Sequence, residues 1–108
     1  MRKIAYISGP YRSKDGINGI AENIWRARKV AVKYWKKYDV LCPHMNTAFM
    51  DAIDTDDVFL NGDLNQLRRC DVIVMMEHWI MSEGATKELE LARECGLEVI
   101  FDYGKEAL

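Results

Sequence analysis

Among the groups in this chain able to do chemistry, the carboxylate of Glu88 stands in the least expected place. It lies in Ser82-Glu83-Gly84-Ala85-Thr86-Lys87-Glu88-Leu89-Glu90-Leu91-Ala92, which reads as the start of a helix. Residues three and four apart share a helix face. Glu88 therefore lies with Gly84, Ala85, Leu91 and Ala92, and with Cys95 a turn further on. That is the apolar face, whereas Glu90 shares a solvated side with Thr86, Lys87, Arg93 and Glu94. An ionised carboxylate on a core-facing stripe costs several kcal/mol unless partners offset it. Such groups gather at functional sites, where a carboxylate serves as nucleophile or as general acid and base. The structural alternative is a side chain at the rim of the face, reaching water or paired with an arginine.

A second candidate is the small-residue loop Ser8-Gly9-Pro10-Tyr11-Arg12-Ser13, which leaves a strand-like run. Gly9 lets backbone approach a ligand closely. Arg12 and exposed backbone N–H groups could hold a phosphate, although an ordinary strand-to-helix turn explains the same residues. The loop is neither a Walker loop nor Gly-x-Gly-x-x-Gly. Ser82 stands where it would cap the Glu88 helix, and a helix N-terminus attracts anions. Asp63 lies among Phe59, Leu60 and Leu67 and points inward on that pattern. Asp51, Asp54, Asp56 and Asp57 form an acidic cluster that capping and solvation explain better than a cation does. His44 and His78 are isolated in sequence.

One domain of 108 residues must position these groups. Hydrophobic residues make up 49% and charged residues 30%, the balance of an ordinary globular chain. A formal net charge of -2 gives no bulk basic field, which argues against a nucleic-acid polymer as partner. Cys42, Cys70 and Cys95 are odd in number and lack metal-ligand spacing, which fits a reducing cytosol. No stretch is long and apolar enough for a membrane. The run Met1 to Tyr6 leads straight into a strand, so no signal peptide is expected and the cytoplasm is the expected compartment.

The expected elements alternate. Lys3 to Ser8 is a strand stopped by Gly9-Pro10, and a loop follows from Tyr11 to about Gly19. Ile20, Ile24, Ala27, Ala31 and Tyr34 recur at helical spacing and predict a helix to about Lys37. Its Trp25, Tyr34 and Trp35 read as core or interface, and its lysines as a solvated face. Val40 to Cys42 is a short strand, and residues 44–55 show no clear period. Thr55 reads as a cap before a helix reaching about Arg69, with Asp56 and Asp57 in its first turn. Asp71 to Met76 is nearly all apolar, as a central parallel strand should be. The Glu88 helix follows, Gly96 ends it, and Leu97 to Phe101 is the last strand. This order predicts an α/β chain of the Rossmann-like or flavodoxin-like three-layer kind, with a parallel sheet of four to five strands. Ligands in such sheets bind beyond the carboxyl ends of the strands. The segments 8–16, 43–55 and 77–84 fall there, and Glu88 lies one turn into the helix that follows the third.

Taken together, the motifs resemble the nucleoside 2-deoxyribosyltransferase superfamily, which includes 2'-deoxynucleoside 5'-monophosphate N-glycosidases. Tyr6-Ile7-Ser8-Gly9-Pro10-Tyr11 resembles its first-strand signature, Gly62-Asp63-Leu64 its Asn-Asp-Leu element, and Gly84 to Leu89 its Gly-x-x-x-Glu-Leu segment. The resemblance spans residues 4 to about 101. It implies that Glu88 is a nucleophile forming a covalent glycosyl intermediate, that Tyr11 orients it and that Asp63 contacts the sugar. Gly9 to Arg12 and Ser82 match the monophosphate hydrolases, so Gly9, Pro10, Arg12, Ser82 and Gly84 are expected to hold substrate, and hydrolysis is expected over transfer. Glu90 departs from the family's usual Gly, and no polar residue of the tail from Asp102 to Leu108 can be assigned the role of completing a neighbouring subunit's site. The resemblance also implies a homo-oligomer and a reaction that needs no metal or organic cofactor. A non-catalytic nucleotide-binding or sensing module using the same cleft is the alternative.

Overall fold

Among the described residues, the apolar runs form four strands of one parallel sheet: β1 (Ile4–Ser8), β2 (Asp39–Leu41), β3 (Val72–Met76) and β4 (Glu98–Asp102). The computed structural model describes residues 1–50 and 53–103, with backbone alone at Asp56. Strand order is β2-β1-β3-β4. All five residues of β3 are buried, because it lies between two strands and beneath helices on both faces. Alternation along β1 divides its side chains. Ala5 and Ile7 join Val72, Val74 and Met76 under Ala27, Ala31 and Tyr34 of α1 (Gly16–Tyr34). Tyr6 joins Ile73 and Met75 on the other face, against Leu67 of α3 (Asp56–Leu67) and Ala85, Leu89 and Ala92 of α4 (Glu83–Glu94). These are the three layers and the four strands that the element order implies. No helix among the described residues is long and apolar enough to cross a membrane.

The differences from expectation lie at element ends. Helix α1 begins at Gly16 rather than Ile20, where Gly16 takes a φ of +66° and its N–H reaches Ser13 O at 3.3 Å. It ends at Tyr34, and the residues up to Lys37 close as turns through Lys37 N and Tyr38 N onto Tyr34 O. The aperiodic stretch contains a one-turn helix, α2 (Pro43–Asn46), with proline at its first position, where no N–H is needed. Thr55 is the cap residue of α3, yet its side chain makes no cap hydrogen bond. Asp51 and the tail from Gly104 lie outside the described residues. Gly96 ends α4 at a φ of +73°, with Leu97 N bonded to Ala92 O at 2.9 Å, a left-handed closure that costs glycine little. Tyr34 is buried, while Trp25 and Trp35 are half-exposed.

Candidate active site

The chain leaves β1 for β2 on one side and returns from β2 to β3 on the other. The loops after β1 and β3 therefore part at the carboxyl edge of the sheet, and a crevice opens between them. Close approach of the two strand ends depends on Gly9, where a Cβ would meet Met76 Cβ and Sδ at 2.8 Å. The crevice is a cleft of about 520 Å³. Its walls are the loop Gly9 to Arg12, Pro43 and His44 of α2, Phe59, Leu60 and Asp63 of α3, and the first turns of α4. The eight residues expected to act on or hold a substrate all line it: Gly9, Pro10, Tyr11, Arg12, Asp63, Ser82, Gly84 and Glu88.

Glu88 is 8% exposed and faces the sheet with Ala85, Leu89 and Ala92. The rim alternative, a carboxylate in water or paired with an arginine, is therefore not what the fold builds. Its carboxylate takes a hydroxyl on each oxygen. Ser8 Oγ donates to Oε1 at 2.6 Å and the Tyr6 hydroxyl donates to Oε2. Both donors come from β1, two residues apart, so the pleat aims them at the same face. Burial pushes Glu88 up to about 7, against the two hydroxyls, which favour the ionised form, while the charge of Asp63 adds to the rise. Near neutral pH the group thus exists in both protonation states. Tyr6 is pushed far above its ordinary range, first by burial and then by the adjacent Glu88 charge. It therefore stays a donor. Asp63 is pushed up to about 6 by burial on the facing wall.

Glu88 thus accepts from the hydroxyls of Tyr6 and Ser8. Tyr11 lies past the end of the strand and lines the same cleft as Glu88. Its hydroxyl accepts from Phe49 N at 3.0 Å, and its ring stands 6.0 Å from that of His44. Sequence reasoning passed over Tyr6 and Ser8, although their spacing of two at the end of a strand was a usable signal. Ser82 does cap α4, accepting from Ala85 N at 3.1 Å, and its position still lines the cleft. Arg12 and Lys87 place two cations on the lining beside the carboxylates of Asp63 and Glu88.

His44 was also missed. It is buried, and Nε2 lies 2.8 Å from Pro10 O. A carbonyl can only accept, so Nε2 carries the proton. Burial also lowers the ring's proton affinity, which leaves it neutral. Nδ1 is then a buried acceptor without a partner among the described residues. Nothing in the local sequence distinguishes His44, since its burial comes from α2 folding against the β1 loop. All three cysteines are free, and burial pushes Cys42 and Cys70 up to about 11, away from thiolate chemistry. No cluster of three metal-ligating side chains occurs among the described residues.

No curated protein matches this chain. A family model covers residues 3–101, nearly its whole length, and the chain belongs to the family described as Domain of unknown function (DUF4406).

Proposed function

We propose that the cleft takes a 2'-deoxyribonucleoside or, preferentially, its 5'-monophosphate, and that Glu88 breaks the N-glycosidic bond. The observation that carries this reading is the buried Glu88 carboxylate, held by Ser8 and Tyr6 at the cleft with Asp63 beside it. A carboxylate oxygen attacks C1' as the C1'–N bond breaks, through an oxocarbenium-like transition state. The bonding pair leaves with the base, which takes up a proton. Water then attacks C1' of the glycosyl ester and releases Glu88, or a second base accepts the sugar. The resemblance to the deoxyribosyltransferase superfamily supports Asp63 as a sugar contact. It also supports Arg12, Ser82 and the Gly9 and Gly84 backbones as the phosphate contacts, and a homo-oligomer, while the cysteine usage supports a cytoplasmic protein. The same resemblance supports Tyr11 as a residue that orients Glu88, alongside the hydroxyls of Tyr6 and Ser8.

The test is release of free base from a panel of common and modified 2'-deoxynucleoside 5'-monophosphates, with and without a second base, resolved by chromatography. Release by the native chain and none by a folded Glu88→Ala is the expected result. Full activity in that variant overturns the assignment. A second reading, a nucleotide-sensing module, draws on the burial that keeps part of Glu88 protonated near pH 7 and so weakens it as a nucleophile. Tight nucleotide binding without base release, unaffected by Glu88→Gln, would select it.

A further inference from the structure

Helix α1 is longer than the strands it covers. Its 19 residues span about 28 Å, against about 17 Å for a strand of five. Ala27 and Ala31 pack on the sheet, so the first turns of α1 run on toward the carboxyl edge, where the cleft opens. Two residues on this overhang engage the loop after β1. Gly19 leaves a hollow occupied by Ser13, for a Cβ there would lie 1.9 Å from Ser13 Oγ. Four residues on, and so on the same helix face, the Asn23 amide donates from Nδ2 to Tyr11 O at 3.0 Å and to Arg12 O at 3.3 Å. An amide nitrogen has two hydrogens, and both partners are carbonyl oxygens, so the amide's orientation is settled. From α2, Nε2 of His44 takes the preceding carbonyl, Pro10 O. Three consecutive loop carbonyls are thus tied by side chains from two helices.

We propose that Asn23 is a positioning residue that sets the course of the Gly9 to Ser13 loop and thereby the presentation of Arg12 to the 5'-phosphate of the substrate. The phosphate half rests on the function proposed above, whereas the loop half does not. Asparagine is a poor residue for a helix interior, and its contacts here lie outside the helix. Docking the loop on α1 preorganises a binding element before substrate arrives, which lowers the ordering cost of binding. The bond-breaking carboxylate hangs from β1 and α4 instead. Loss of Asn23 therefore acts mainly on affinity for the phosphorylated substrate.

Two variants of nearly unchanged size test this. Asn23→Leu removes both donors, and Asn23→Asp turns an acceptor toward two carbonyls. Amide hydrogen exchange, read by mass spectrometry on the free proteins, should show faster exchange over residues 9–15 in both variants and unchanged exchange in β3 and α4. With substrate, KM for the 5'-monophosphate should rise on the order of tenfold, with a smaller change in kcat and a smaller rise in KM for the matching nucleoside. Native-like exchange over residues 9–15 in both variants overturns the loop half. An equal rise in KM for nucleoside and monophosphate, or no rise, overturns the phosphate half. A native chain that binds and cleaves no nucleotide overturns the function proposed above and the phosphate half with it, while exchange still decides the loop.

Discussion

Replacing Ser8 with Ala isolates the contest between burial and hydrogen bonding at Glu88. Ser8 is fully buried and its hydroxyl donates to Oε1 at 2.6 Å, so truncation removes one of two donors with no solvent ready to replace it. A hydrogen bond to an ionised acceptor contributes about 1.5–3 kcal/mol, and about 1.4 kcal/mol corresponds to one pH unit. The donors favour the charged form, so losing one must raise the proton affinity of the carboxyl. Glu88, already pushed up to about 7 by burial, should move up by roughly one to two pH units, to ~8–9. At pH 7 the ionised fraction would fall from about half to about 1–10%. The direct assay is carbon-13 NMR titration of the glutamate side-chain carboxyls, with Glu88→Gln to identify the resonance. On the proposed function, the acid limb of base release should move by the same amount. If Glu88 in the variant titrates at or below its native value, burial and not the Ser8 bond governs the site, and the reasoning fails.

Two further outcomes follow from the same structure. Glu88 holds its proton more tightly folded, at about 7, than an unfolded carboxylate does, so the folded chain carries the extra proton between roughly pH 4.5 and 7. Stability at this site therefore falls as pH rises through that window and stays low above it. Glu88→Gln removes the effect and should stabilise the chain at pH 8 by about 2–4 kcal/mol, seen calorimetrically as a melting temperature several degrees higher. The gain should vanish near pH 4, and a lower melting temperature at pH 8 would count against a buried carboxylate. Gly9→Ala should cost about 1–3 kcal/mol, because its Cβ would meet Met76 Cβ and Sδ at 2.8 Å. Urea unfolding measures that cost, and an unchanged midpoint would contradict the tight approach of β1 and β3.

Much of the site was legible from periodicity alone. Glu88 on an apolar helical stripe, Asp63 among Phe59, Leu60 and Leu67, and a small-residue loop after the first strand could all be read from local spacing. The fold brings these three segments to one cleft. What resisted reading were contacts between residues distant in sequence. Tyr6 and Ser8 lie 82 and 80 residues from Glu88. Asn23 reaches back to Tyr11 and Arg12 from a helix whose first turn looked like loop. His44 sat in a stretch without period and became a buried neutral ring only when α2 folded against Pro10.

From its sequence by itself, this chain determined where the four strands and the three long helices lie and which side of most of them turns inward, because those properties follow from spacing along a few turns or pleats. The superfamily resemblance also came from the sequence. Tertiary structure decided which hydroxyls hold the carboxylate, where its proton affinity settles and which side chains tie down the loop. These depend on strand order and on the depth of burial of each group, and neither is encoded in any short window of residues.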